Sequence, residues 1–388
     1  MHKVNFTSYN RIGLLECGAA FFPALLEAID QAKLEVHLET YIFALDGVGM
    51  QVKAALERAA GRGVLVRVIA DWLGSGRAVS KQLTQDFAAA KVEFRSFNPW
   101  FLRGVARTHR KLCVVDRKIG FIGGINLNDD LFSDDYACQA LPAPRWDFAV
   151  RVEGPLVDII QREVELQWLR VGRLQLRARW KRFRGARTQL TPHGEAPMVA
   201  GLVVRDNLRN RRTIQRTYLM ALAGAKHSAV LANPYFAPGR KLRDGLARAA
   251  QRGVDVTLLI GVGQFRIQDA VAHSFYPKLL KAGVKVVEYH KTQLHAKVAV
   301  VDDGWATVGS SNYDGLSLFV NQEANIVIRD ATFSRQLRAA IERGIADGVP
   351  VDADAFAHTP RHVRWWYGAA YFLYQGVLRI ITLGKYAE

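Results

Sequence analysis

Residues 294–312 read LHAKVAVVDDGWATVGSSN, and the fold turns on how this stretch is read. Val298 to Val301 is an uninterrupted apolar run rich in β-branched residues, which predicts a buried strand. Asp303-Gly304 predicts a tight turn, and Trp305 to Val308 a returning strand. Side chains alternate along a strand, so His295 and Lys297 fall on one face, roughly 7 Å apart. Ser310 and Asn312 share a face of the returning strand in the same way. The result is a small polar surface on rigid elements, carrying an imidazole, an ammonium, a hydroxyl and an amide. Asp302 has the opposite parity to His295, which assigns its carboxylate to bracing the hairpin.

The pattern occurs twice. Within HRKLCVVDRKIGFIGGIN (109–126), His109, Lys111, Asp116, Gly123, Gly124 and Asn126 repeat the spacing of His295, Lys297, Asp302, Gly309, Ser310 and Asn312, with Gly124 where the second copy has Ser310. A lone His-x-Lys carries little information, but a long spaced pattern present twice carries a great deal. Both copies resemble the HKD motif of the phospholipase D superfamily, His-x-Lys-(x)4-Asp-(x)6-Gly-(Gly/Ser)-x-Asn. The resemblance implies an α/β fold of two pseudo-symmetric phospholipase D-like α-β-α sandwich lobes, with one active site at their interface. It also implies a catalytic set of His109, Lys111, Asp116, His295, Lys297 and Asp302, supported by Asn126, Ser310 and Asn312.

The rest of the chain is consistent with a duplication. Its 388 residues leave room for two domains, and with 49% apolar and 23% charged residues it reads as globular rather than disordered. The landmarks of the two halves recur roughly 190 residues apart, with no short solenoid period. In the first half, helices are expected over Phe21–Ala32, Val48–Ala60 and Lys81–Ala90. They alternate with strands over Val36–Phe43, Val64–Ala70 and Val92–Phe97, and DWLGSG (71–76) is expected to be a loop. In the second half, helices over Arg216–Ala225, Leu242–Ala250 and the end of one at Lys278–Ala282 alternate with strands over Ala229–Ala232, Val254–Ile260 and Val284–Tyr289. Such alternation argues for a layered α/β sheet. The expected boundaries are an N-terminal lobe over 8–165, a basic amphipathic linker over 166–200, a C-terminal lobe over 201–345 and an aromatic-rich tail over 350–388.

The net charge of +17 predicts an anionic partner, either nucleic acid or an anionic membrane. Three features favour the membrane. Arg170 to Arg187 carries eight arginines and lysines and no acid, with Leu169, Leu176, Trp180 and Phe183 at helical spacing. It reads as an interfacial helix or a solvated linker, and it matches no nucleic-acid module. FNPWFLRG (97–104) reads either as a loop folded onto the core or as a lipid-facing rim. Trp365 to Leu378 is uncharged and aromatic-rich but shorter than the roughly 20 residues of a span, so interfacial docking is expected, with packing on the second lobe as the alternative. Cys17, Cys113 and Cys138 lack metal-ligand spacing, which fits a reducing compartment, with Cys113 a buried thiol. The N-terminus lacks the apolar core of a secretion signal.

Arg145-Trp146-Asp147 and Asn321-Gln322-Glu323 follow the two motifs and are similar to the family's downstream acidic positions. An imidazole that attacks or protonates needs its far nitrogen held by a carboxylate. The family resemblance implies reciprocal pairing, Asp147 with His295 and Glu323 with His109. It further implies that one histidine forms a phosphohistidine and the other acts as acid and base. Family analogy favours His109 as nucleophile and His295 as acid and base, and the symmetry of the two motifs leaves the order open. No Asp/Glu cluster suits magnesium, so no metal or other cofactor is expected. The layout, including LETYIF, DWLGSG, VEGP and ATVGSSNYDGLSL, is similar to bacterial cardiolipin synthases, most like the B-type, which has no membrane helices before the first lobe. That similarity implies phosphatidyl transfer between phosphatidylglycerol molecules, with phosphatidylethanolamine as a possible further lipid. It also implies a peripheral position on the cytoplasmic face of a bacterial inner membrane. A hydrolase of the same fold, lipid phosphodiesterase or nuclease, is the first alternative, and a non-catalytic membrane-binding scaffold the second.

Overall fold

The structure is a computed structural model that describes residues 4–134, 138–172, 198–206 and 210–381. Among the described residues, fifteen strands form one continuous sheet. Phe6–Glu16 and Met198–Arg205 pair antiparallel at its centre. From Phe6–Glu16 the sheet runs outward through Phe148–Glu153, Ile119–Gly123, Leu112–Val115, Glu35–Thr40 and Leu65–Asp71 to Glu93–Phe97. From Met198–Arg205 it runs through Glu323–Arg329, Trp305–Gly309, Val298–Val301, Ser228–Asn233 and Asp255–Gly261 to Lys285–Tyr289, with Val349–Pro350 added at the edge. The two halves have the same order, and in each the three strands beyond the motif hairpin are parallel. The expected α/β architecture with doubled lobes is the one observed.

The apolar motif strands have a simple cause. Leu112 and Val114 face one core with Val298 and Val300, while Cys113 and Val115 face a second core belonging to the first half. Ala299 and Val301 face a third, within the second half. A strand buried on both faces must be apolar at every position, not at alternate ones. The shared core is closed by the helices Leu156–Val171 and Ala331–Ala346, whose Ile160, Val164, Leu337 and Ile341 pack into it.

Some expectations change. DWLGSG is a short helical turn, Trp72–Ser75, because the Asp71 carboxylate accepts from the backbone N–H groups of Leu73 and Gly74 and caps it. The four strands around the central seam, Phe6–Glu16, Phe148–Glu153, Met198–Arg205 and Glu323–Arg329, lie outside the expected elements. Pro99–Phe101 is a single helical turn whose Trp100 and Phe101 are about half exposed, their rings resting against Trp72. The basic segment expected over Arg170–Arg187 lies mostly outside the described residues. The tail forms a helix, Arg361–Ile381, with two apolar faces. Ala370 and Leu378 are buried against the second lobe, whereas Trp365, Phe372, Leu373 and Ile380 point outward. Among the described residues, no helix is long and apolar enough to cross a membrane.

Candidate active site

Both motif histidines lie just before a buried motif strand, and each is clamped by backbone bonds to the other half. His109 N donates to Gln322 O at 2.9 Å, and Gln322 N donates to Arg107 O at 2.8 Å. Likewise His295 N donates to Trp146 O, and Trp146 N to Gln293 O, each at 2.9 Å. These crossed bridges bring each histidine to the acid that follows the opposite motif. Nδ1 of His109 is 3.1 Å from Oε2 of Glu323 and 3.0 Å from the Ser310 carbonyl. Nδ1 of His295 is 2.5 Å from Oδ2 of Asp147. In both cases the imidazole comes from one lobe and the carboxylate from the other.

The small residues of the motifs follow from this packing. A Cβ on Gly123 would lie 2.4 Å from Ala149 Cα, and one on Gly309 would lie 2.3 Å from Asn325 Cγ. A side chain at Gly124 would strike the Asp147 carboxylate at 2.3 Å. At the equivalent place in the second half, the Ser310 hydroxyl instead donates to Glu323 at 2.5 Å.

Both imidazoles line a cavity of about 280 Å³, together with Asn126, Asn312, Asp134, Tyr41, Tyr235 and Tyr374. The lysines lie behind it. Lys111 Nζ donates to His109 O at 2.8 Å, and Lys297 Nζ donates to His295 O. Burial, then the opposing lysine, pushes Lys111 down to about 7, and burial pushes Lys297 down to about 8 against the pull of Asp147. Burial and then Lys297 push His295 down to about 4, although Asp147 and Asp134 pull the other way. Burial also lowers His109, opposed by Glu323.

Asp116 and Asp302, both in the implied catalytic set, do not line this cavity. Asp302 accepts from the backbone N–H groups of Lys226, His227 and Ser228 at 2.8–3.0 Å. Asp116 does the same for Lys33, Leu34 and Glu35 at 2.7–3.0 Å. Both residues have positive φ at the turn that ends their strand, a conformation Asp tolerates. Each lies seven residues beyond its histidine, about 20 Å away along extended chain. They brace the sheet at the end opposite the cavity. Asp134, Tyr235, Gln264 and Tyr374 line or support the site without having been anticipated, because none belongs to a duplicated motif. Among the described residues, no group of three or more His, Cys, Asp or Glu is arranged to hold a metal.

Comparison with known proteins places this geometry in context. A family described as cardiolipin synthase, phospholipase D-like domain, matches residues 25–140 and 218–345. The chain is 44% identical to cardiolipin synthase B of Salmonella typhi over 344 residues, covering 87% of this chain and 80% of the relative. It is 41% identical to cardiolipin synthase B of Escherichia coli K12 over the same shares of the two chains. Phosphatidylserine synthase of Haemophilus influenzae Rd KW20 has the same fold, with a TM-score of 0.70, 13% identity and coverage of 98% of this chain and 97% of that one.

Proposed function

Since the chain belongs to the phospholipase D-like cardiolipin synthase family, we propose that it joins two phosphatidylglycerol molecules into cardiolipin and releases glycerol. The observation that carries this reading is the reciprocal pairing of two buried histidines with cross-lobe carboxylates around one cavity. The carboxylate on Nδ1 fixes each imidazole so that Nε2 can exchange a proton or attack.

In the first half-reaction, Nε2 of His109 attacks phosphorus. The P–N bond forms, the P–O bond to glycerol breaks, and the glycerol oxygen takes the proton from Nε2 of His295. In the second, the headgroup hydroxyl of another phosphatidylglycerol gives its proton to His295, and its oxygen attacks phosphorus. The P–N bond breaks and both histidines are restored. Burial and Lys297 lower the proton affinity of His295, and an arriving phosphodiester anion raises it, so substrate binding favours the protonated form used in the first step. Lys111 and Lys297 supply positive charge around the phosphoryl oxygens, with Asn126 and Asn312 as amide donors.

We place the protein peripherally on the cytoplasmic face of a bacterial inner membrane. The outward apolar stripe of Arg361–Ile381, with Arg361, Arg364 and Arg379 near its ends, supports an anionic lipid surface, as do Trp100 and Leu102. Three free cysteines support a reducing compartment. Incubation with phosphatidylglycerol vesicles tests the activity. Cardiolipin and glycerol are expected, whereas phosphatidic acid alone, or cleavage of added DNA, would indicate a hydrolase. Vesicles supplemented with phosphatidylethanolamine test that lipid as a second participant.

A further inference from the structure

The two halves treat their imidazoles differently. Beyond its contact with Asp147, His295 presents Nε2 to a second carboxylate, with Oδ2 of Asp134 at 3.4 Å. Among the described residues, no carboxylate stands in that relation to Nε2 of His109. Asp134 is a built part of the cavity wall. Its side chain is 10% exposed, and its Oδ1 accepts from Gln293 Nε2 at 2.6 Å and from Gln264 Nε2 at 3.1 Å. Gln264 in turn accepts from the Tyr235 hydroxyl at 2.9 Å.

These contacts create a specific deficit. With Nδ1–H donated to Asp147, a neutral His295 offers a lone pair at Nε2. Oδ2 of Asp134 offers another. In the step where His295 acts as base, these two acceptors face the incoming alcohol together, and both call for donors. A simple alcohol brings one O–H donor to the reacting position, and water brings both of its donors on a single oxygen. A vicinal diol brings two donors on neighbouring carbons, one for Nε2 and one for Oδ2.

We propose that Asp134 is a specificity-determining residue that accepts a hydrogen bond from the hydroxyl next to the reacting oxygen, and so selects glycerol-type alcohols. The inference rests on the phosphatidyl transfer proposed above and names the group that chooses the alcohol. It acts in both half-reactions, because the leaving glycerol and the glycerol headgroup of the acceptor are both vicinal diols at the oxygen that meets His295. A carboxylate beside the base also disfavours a second anion there, which keeps the phosphoryl group on the His109 side.

The test supplies the full-length protein and phosphatidylglycerol vesicles with isotopically labelled glycerol, 1,3-propanediol or ethanolamine at equal concentration, and measures each phosphatidyl-alcohol product. 1,3-Propanediol keeps the terminal hydroxyls and lacks the neighbouring one. The wild type is expected to favour glycerol over 1,3-propanediol by roughly 10- to 100-fold, the worth of a hydrogen bond to a charged group. Asp134→Ala and the near-isosteric Asp134→Asn are expected to bring that ratio close to one while still transferring to both alcohols. A wild type with no preference, a preference that survives both substitutions, or ethanolamine outcompeting glycerol would each overturn the proposal. Transfer to no alcohol at all would overturn the underlying reading and this one with it, whereas transfer without selection overturns this one alone.

Discussion

The Asp147 carboxylate, from the first half of the chain, lies 2.5 Å from Nδ1 of His295 in the second. Neither half therefore contains a complete acid–base pair. The crossed backbone bridges at Gln322 and Trp146 make this a property of the joined lobes rather than of either alone.

Replacing Asp147 with Asn keeps the size of the side chain and removes the charge that orients and stabilises the imidazolium. kcat on phosphatidylglycerol vesicles is expected to fall on the order of 10²–10⁴-fold. Glu323→Gln is expected to act similarly on His109. Unchanged circular dichroism separates this loss from misfolding.

The buried lysines set the pH dependence. A lysine whose pKa is lowered to about 7 or 8 is charged only below that value. The positive field that receives the phosphodiester is thus present at lower pH, and kcat/KM is expected to decline as pH rises through 7 to 8. The alkaline limb of kcat should sit higher, because a bound anion favours the charged lysine. His109, held low by burial, stays unprotonated and nucleophilic below the ordinary histidine range. The paired profiles of kcat and kcat/KM check both limbs.

The motif aspartates are expected to matter for stability and not for chemistry. Asp116→Ala or Asp302→Ala each leaves three backbone N–H groups without their acceptor at a partly solvated edge, at a cost of about 1–3 kcal/mol. Denaturant midpoints should fall accordingly, while kcat per folded molecule stays within a few-fold of the wild type.

The outer face of Arg361–Ile381 is expected to hold the protein on anionic vesicles. Phe372→Glu and Ile380→Glu replace outward side chains and leave the inner face intact. Sedimentation with phosphatidylglycerol vesicles should weaken about tenfold for each, the worth of one buried apolar side chain. Activity toward lipid dispersed in detergent should persist.

Much of this architecture was legible in the sequence, for physical reasons. Leu112–Val115 and Val298–Val301 are buried on both faces, so they stand out as unbroken apolar runs, and the doubling of landmarks announced two lobes. The first strand of the central seam was not legible. Phe6–Glu16 mixes exposed and buried positions without strict alternation, and its register slips between Thr7 and Asn10. The facing of Asp147 and Glu323 across the lobes came from resemblance, since no local spacing encodes a contact between residues 148 or 214 positions apart. Asp134 left no signal because it has no counterpart in the second motif. The two faces of the C-terminal helix read alike in sequence, and only packing decides which one Ala370 and Leu378 bury.

The division of labour between the two histidines is tested most directly by a phosphatidyl ester of p-nitrophenol, whose leaving group needs no proton. His295→Ala should release one nitrophenol per chain in a burst and, after rapid quenching, carry the phosphatidyl group on His109. His109→Ala should release none and carry no label. A burst from His109→Ala with the label on His295 would mean two interchangeable centres and would contradict a single site shared by the lobes.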